Sequence, residues 1–244
     1  MLEARGLTRG FGAVEALAGA SFTLHAGEVL AVVGDNGAGK TTLFRVLHGS
    51  TPPDDGTLLL DGNPVRFRTP ADARRAGVET VHQDLALCGN LDTVANLFLG
   101  RERVRRGLLD EPAMEQATRA VLGRLGVTLP DLRLPVETLS GGQRQCIAVA
   151  RAMLGNPRVV LLDEPTAALG VRQADEVLRV VRGLRDGGVG IMLVSHNLAD
   201  VLAVADRVLV LRHGRVVGLH RRDAVTRERV VAEITGATTT ETAA

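Results

Sequence analysis

The sequence has almost no aromatic residues: five phenylalanines, and neither tryptophan nor tyrosine, among 244 residues. A core must therefore be assembled from Val, Leu, Ile and Ala, and the stacking platforms used by single-stranded nucleic-acid binders are scarce. Cysteine is nearly missing too. Cys88 and Cys146 lie far apart, with no His or Cys at metal-ligand spacing, which argues against a disulfide framework or a zinc site and fits a reducing compartment. Nor is there an excess of one charge: 29 basic against 28 acidic side chains give a net +1. No strong field advertises nucleic acid or an anionic membrane as the main partner. No run approaches the about 20 apolar residues needed to span a bilayer, and the first dozen residues lack the apolar stretch of a signal peptide. What remains, 45% hydrophobic and 23% charged, is the balance of a globular protein. The length suits one large domain, or a domain carrying a smaller inserted lobe.

Along the chain, no repeat period is visible. The opening segment, through Phe22-Thr23-Leu24, reads as short strands separated by glycine-containing turns. Residues 29–33, Val-Leu-Ala-Val-Val, form the continuous apolar run of a buried parallel strand. A glycine-rich loop follows, and residues 41–48 are expected to be helical. Residues 111–125 place Met114, Ala117, Val121, Leu122 and Leu125 on one helical face, with Pro112 near the start where proline is tolerated. A second helix is expected over 141–154. Few strand signals occur in this region, which reads as an inserted helical lobe at about 86–155. Apolar runs return at 159–162 and 191–194, separated by a helical stretch over 172–186, the alternation of a parallel sheet covered by helices. Runs at 208–211 and 216–217 flank His213-Gly214 and predict a hairpin. The last residues, 237–244, read as a frayed tail.

Chemistry enters at Gly34-Asp35-Asn36-Gly37-Ala38-Gly39-Lys40-Thr41, which fills the pattern G-x-x-x-x-G-K-[ST] between a strand and a helix. Its glycines let successive N–H groups turn toward phosphate oxygens, and the following helix adds its positive dipole end. Lys40 is expected to bridge the β- and γ-phosphates, the Thr41 hydroxyl to coordinate Mg2+, and Thr42 to complete the cradle. By itself the loop signifies binding of a nucleoside triphosphate. Kinases, GTPases, helicases and transport motors all remain open.

Downstream, the run Val159-Val160-Leu161-Leu162 ends in Asp163-Glu164-Pro165. Asp163, read as lying beside the phosphate loop in a parallel sheet, suits a Mg2+ ligand acting through water. Glu164 suits a residue that orients or deprotonates an attacking water, which separates a hydrolase from a binder. A solvated acidic turn is the plain alternative. His196 follows the next strand, with Asn197 a candidate helix cap. A histidine there is either structural or, because strand ends on this face converge on the ligand crevice, a γ-phosphate sensor.

Leu139-Ser140-Gly141-Gly142-Gln143-Arg144-Gln145 opens the second helix of the lobe. A hydroxyl and glycine amides at a helix N-terminus make an anion site, or an ordinary serine cap. This segment resembles the signature motif of the ABC ATPase family, and it stands upstream of the acidic strand end as in that family. His82-Gln83-Asp84 resembles its Q-loop, Ala167-Ala168-Leu169-Gly170 its D-loop, and His196 its switch histidine. Phe11 falls where the family's adenine-stacking aromatic sits, with a half-buried core aromatic as the alternative.

The resemblance implies a RecA-like P-loop NTPase fold: a mostly parallel α/β core with an N-terminal antiparallel β subdomain and an inserted α-helical subdomain, within one ATP-binding domain over 1–236. It implies ATP and Mg2+ as ligands, with Gln83 touching the metal and the attacking water. It further implies a head-to-tail dimer of two copies, with each nucleotide held between one phosphate loop and the partner's Ser140, Gly141, Gly142 and Gln143. Gly170 departs from the aspartate that many family members carry and puts one inter-subunit contact in doubt. The stretch 77–102, the Thr166–Val171 segment and Ile234-Thr235-Gly236-Ala237 resemble the ribose-, xylose- and fructose-type importers. That subgroup implies transmembrane permease subunits, an indirect partnership with a sugar-binding protein, no nucleic acid, and a peripheral place on the cytoplasmic side of the cell membrane.

Overall fold

The computed structural model describes residues 1–237. In chain order the elements are β1 (Leu2–Phe11), β2 (Val14–Leu24), β3 (Val29–Val33), α1 (Lys40–His48), β4 (Asp55–Leu60), β5 (Asn63–Val65), α2 (Pro70–Arg75), β6 (Val78–Val81), α3 (Thr93–Phe98), β7 (Val104–Arg105), β8 (Leu108–Leu109), α4 (Glu111–Arg124), α5 (Gly141–Met153), β9 (Val159–Asp163), α6 (Val171–Asp186), β10 (Gly190–Val194), α7 (Leu198–Val204), β11 (Arg207–Arg212), β12 (Arg215–Arg221) and α8 (Arg227–Thr235). The main sheet has the order β12-β11-β3-β10-β9-β6, parallel except for the β11–β12 hairpin. A second, antiparallel sheet runs β2-β1-β4-β5. This is the mixed α/β arrangement of a P-loop NTPase.

The all-apolar strands become intelligible once their two faces are separated. Side chains alternate across a strand, and in the main sheet each side faces its own core. Val29, Ala31, Val33, Val160, Leu162, Ile191 and Leu193 pack with the helices α4, α5 and α6. Leu30, Val32, Val159, Leu161, Met192 and Val194 pack with α1 and the antiparallel sheet. Both faces being covered, the strands carry no polar alternation.

Two expectations need correction. The opening segment is not a series of short strands. It is a pair of long strands of 10 and 11 residues, in which Gly6 and Gly19 sit at shifts of register rather than at turns. Nor does the strand carrying Asp163 lie beside the strand leading to the phosphate loop, because β10 hydrogen-bonds to both and separates them. The helices expected at 41–48, 111–125, 141–154 and 172–186, and the terminal hairpin, are present within a residue or two. Helices α3, α4 and α5 all fall between β6 and β9. Of the expected tail, residues 238–244 lie outside the described residues.

Candidate active site

The C-terminal ends of β3, β9 and β10 deliver the chemistry, as expected for the ligand crevice of a parallel sheet. After β3 the loop turns directly into α1. Gly39 occupies the N-cap in a left-handed conformation (φ 105°), offers no side-chain cap, and the first turn holds no acidic residue. The first-turn N–H groups and the helix dipole are therefore open to an anion. Glycine is required here by packing as well: a Cβ on Gly39 would run into the carbonyl oxygen of Ala16, and one on Gly34 into that of Leu211. Ala16 belongs to β2 and Leu211 to β11, so the loop is wedged between two elements. The sequence motif reveals the glycines and gives no hint of these partners. Gly37 (φ 78°) meets nothing at its Cβ, and its requirement is backbone conformation alone.

Lys40 folds back across the loop, with Nζ donating to the carbonyls of Gly34 at 2.7 Å and Asp35 at 2.9 Å. Burial lowers its pKa, while the charges of Glu164, Asp35 and Asp163 oppose that shift. These acidic groups are thus within electrostatic reach of the lysine although β10 intervenes between their strands. Burial raises the pKa of Asp163, and the neighbouring Glu164 adds to the effect. His82, Lys40 and Arg45 act against it. A half-buried carboxylate beside a second carboxylate favours any cation that can sit between them and the phosphates. With the exposed Thr41 hydroxyl and the exposed Gln83, the donor set is all oxygen, which fits Mg2+.

Glu164 is the most tightly specified residue of the group. Its backbone is left-handed (φ 49°), which for a non-glycine residue costs about 1–2 kcal/mol. Its N–H donates to the carbonyl of Val194 at 2.9 Å, tying the end of β9 to the end of β10. Its Oε2 lies 2.7 Å from Nδ1 of His196 and accepts from the His196 N–H at 3.4 Å. The structure thus brings Glu164 and His196 together. The Glu164 side chain is mostly covered, and the histidine ring is 72% exposed. Asn197 caps α7, accepting from the Ala199 N–H at 3.0 Å, as expected.

Phe11 ends β1 opposite Val14. It is 45% exposed, so it is not a core aromatic, and the Arg9 guanidinium sits 4.9 Å from its ring centre. The same hairpin carries Ala16, the residue against which Gly39 packs.

At α5 the serine is a helix cap. Ser140 accepts from the Gln143 N–H at 3.2 Å, and the Gln143 side chain accepts from the Ser140 N–H at 2.9 Å, a complete capping box. The glycines serve close packing: a Cβ on Gly141 would stand 2.9 Å from Leu169, and one on Gly142 3.0 Å from the Gln173 side chain. The start of α5 is therefore seated against the 167–170 loop and the first turn of α6. Sequence reasoning missed Leu169 and Gln173 as partners, and it missed the packing of His82, whose ring meets Phe44 and His48 of α1 edge-on. A histidine in a short polar stretch carries no local signal of such packing.

The family model described as "ABC transporter" matches residues 17–167, a span that contains the phosphate loop, the LSGGQ segment and the acidic strand end. The chain is 46% identical to the fructose import ATP-binding protein FrcA of Rhizobium meliloti over 97% of this chain and 94% of that protein. It is 42% identical to the xylose/arabinose import ATP-binding protein XylG of Sulfolobus acidocaldarius over 96% and 93% of the two chains. A ribose import ATP-binding protein, RbsA 1 of Rubrobacter xylanophilus, is 44% identical over 92% of this chain, which spans only 45% of that longer protein. Among solved structures, an ATP-binding cassette of an ABC transporter in its ADP conformation superposes with a TM-score of 0.83 at 24% identity, covering 97% and 95% of the two chains. That likeness is one of fold. The family-model match and the sequence match over most of two relatives make this chain a member of the ABC transporter family.

Proposed function

We propose that the chain is the ATP-hydrolysing subunit of an ABC importer that carries a monosaccharide. The observation that carries the hydrolytic part is the Glu164–His196 pair, held at 2.7 Å on the strand ends whose charge reaches Lys40. Gly34, Asp35, Asn36, Gly37, Ala38, Gly39, Lys40, Thr41 and Thr42 cradle the phosphates, and Phe11 stacks on the adenine. Thr41, Gln83 and Asp163 would hold Mg2+, which would supply positive charge to the phosphate oxygens. Glu164 accepts the proton of the water that attacks the γ-phosphorus, as the bond to the bridging oxygen breaks and ADP departs. His196 orients the Glu164 carboxylate and reaches the γ-phosphate, while Gln83 positions the water.

The active site takes a second copy of the chain. α1 packs on α2, β2, β6 and β9, whereas α5 packs on α3, α4, α6 and β6. The two helices thus rest on largely different elements, and we infer a head-to-tail dimer in which Ser140, Gly141, Gly142 and Gln143 of one protomer close on the nucleotide held by its partner. Among the described residues no helix is long and apolar enough to cross a membrane, so membrane work requires permease subunits, with this chain peripheral on their cytoplasmic side and a sugar-binding protein delivering cargo. The relatives named as import ATP-binding proteins for fructose, xylose/arabinose and ribose support the substrate class.

Purified full-length protein with Mg2+ and ATP is expected to release phosphate, and both Glu164→Gln and Lys40→Ala are expected to lower turnover by about a hundredfold or more. Unchanged turnover in Glu164→Gln would remove that residue from the mechanism. Purification with the native membrane partner tests the cargo. A permease with a monosaccharide ligand is expected, and co-sedimentation with ribosomes and no permease would overturn the importer reading.

A further inference from the structure

Gln83 is exposed, so its position is set by the backbone that carries it, the segment 82–86 between β6 and α3. Two helices hold that segment. Upstream, the His82 ring lies edge-on to Phe44, with ring centres 5.8 Å apart, and to His48 at 4.8 Å. Both partners belong to α1, the helix that begins at the phosphate loop. Downstream, Arg151 in the last turn of α5 donates through Nη1 to the carbonyl of Ala86 at 2.8 Å and through Nη2 to the carbonyl of Leu85 at 2.9 Å. Ala86 is left-handed at φ 47°, a conformation disfavoured for a residue with a Cβ. Its N–H donates to Asp84 Oδ1 at 3.2 Å, so both polar groups of the strained peptide are tied down. Arg151 is itself fixed, its carbonyl accepting from Arg101 Nη1 at 3.4 Å.

The guanidinium is a planar fork that spans two acceptors at once, which a lysine cannot do. It sits about 15 Å along the helix from Gly141, by the rise of an α-helix, and that stretch is an unbroken helix packed in the main core. A displacement of the α5 N-terminus is therefore transmitted to the Leu85 and Ala86 carbonyls as a rigid-body movement.

We propose that Arg151 is a positioning residue for hydrolysis: it ties the signature helix to the two carbonyls behind Gln83, so that seating a phosphate at Gly141 and Gly142 and placing Gln83 in the site are one movement. The inference rests on the reading of Gln83 as a residue of the hydrolytic site. Arg151 touches no nucleotide, and its action runs entirely through the segment it holds.

The test is a double-mutant cycle on ATP turnover by the full chain, with Arg151→Met, Gln83→Ala and the double variant. Arg151→Met is expected to lower kcat about tenfold, the scale of a small misplacement of a catalytic group, with KM for ATP within about twofold of the parent. In the Gln83→Ala background the same substitution is expected to cost nothing further. Losses that multiply in the double variant would overturn the proposal, as would an Arg151→Met enzyme with unchanged kcat. Should Arg151→Met fail to fold, Arg151→Lys, which keeps the cation and loses the fork, carries the same cycle with the same two outcomes. A parent enzyme that does not hydrolyse ATP, or a Gln83→Ala variant with parental kcat, would instead refute the underlying reading of the site.

Discussion

Helices α1 and α5 follow one plan and are finished differently. Each begins at a glycine-bearing turn, and each sends a side chain from its last turn to the Gln83 segment, His48 from α1 and Arg151 from α5. At α1 the N-cap is a bare glycine and the ammonium of Lys40 lies in the loop. At α5 the cap is closed by Ser140 and Gln143, and no acidic or basic group stands in the first turn except Arg144, which turns back to the Leu139 carbonyl at 2.7 Å. One N-terminus is open and carries the Lys40 ammonium, while the other is closed by a capping box within its own chain. Under the proposed function that division suits a site shared between two copies, one N-terminus holding the nucleotide and the other adding amides from the partner.

The comparison breaks most sharply at the glycines. Gly39→Ala introduces a Cβ into the Ala16 carbonyl, in a backbone conformation a side chain resists. A loss of at least about 3 kcal/mol of stability is expected, because backbone at both ends of the clash must move. Gly142→Ala meets only the Gln173 side chain and backbone at 3.0–3.2 Å, and it gains about 0.5–1 kcal/mol of helix propensity. Chemical denaturation of the two variants is expected to differ by several-fold in cost. Equal losses would mean that the wedging of the phosphate loop between β2 and β11 has no special weight.

The C-terminal ends differ in pH response. Burial, with the charges of His82 and Arg74, lowers the pKa of His48 from its usual 6.5 to about 4. The unfolded chain binds the proton more readily, so the contribution of this ring to stability is present above pH 6.5 and is lost as pH falls toward 4. For a half-buried ring the effect is on the order of 1–2 kcal/mol after allowance for solvent screening. Arg151 stays charged throughout that interval. Stability curves of the parent and His48→Gln are expected to converge on acidification between those values, and parallel curves would refute the assignment.

Capping gives the next smaller effect. Ser140→Ala removes one half of the capping box and is expected to cost about 1 kcal/mol in urea unfolding. It should leave nucleotide binding by the isolated protomer unchanged, since that protomer binds through α1. Reduced nucleotide affinity in the monomeric protein would contradict the division of labour between the two helices.

How far these features could be read in advance depends on whether the signal is local. The phosphate loop, the apolar runs of β3, β9 and β10, and the LSGGQ segment each lie within a few consecutive residues, and each forms the strand, loop or helix start expected of it. Strand order is different in kind. That β10 wedges between β3 and β9 is decided by pairing across the sheet, and nothing in the run at 191–194 marks it as central. Gly6 and Gly19 were open to misreading because glycine serves turns and bulges alike. The left-handed backbone of Glu164, its bond to Val194, and the Arg151 fork 65 and 66 residues away from its acceptors are products of tertiary assembly with no pattern along the chain.

The smallest expected effect concerns a third helix N-terminus, that of α6. Gly170 is the N-cap in extended geometry (φ −70°, ψ 160°), makes no side-chain cap, and heads a first turn with no acidic residue. A Cβ there meets nothing within 4 Å, and the φ is one that any residue adopts. Gly170→Asp therefore introduces no strain and supplies both an acceptor for the free first-turn N–H groups and a negative charge at the positive end of the dipole. Since glycine is itself a tolerable N-cap, the gain is a few tenths to about 1 kcal/mol. Helix α6 carries Gln173, against which Gly142 packs, so the gain falls on the element that supports the self-capped cradle. A urea midpoint shifted upward in Gly170→Asp is the expected result. A downward shift would mean that the aspartate repels a neighbouring carboxylate, and that the glycine is required by the charge around the 167–170 loop rather than tolerated by its open geometry.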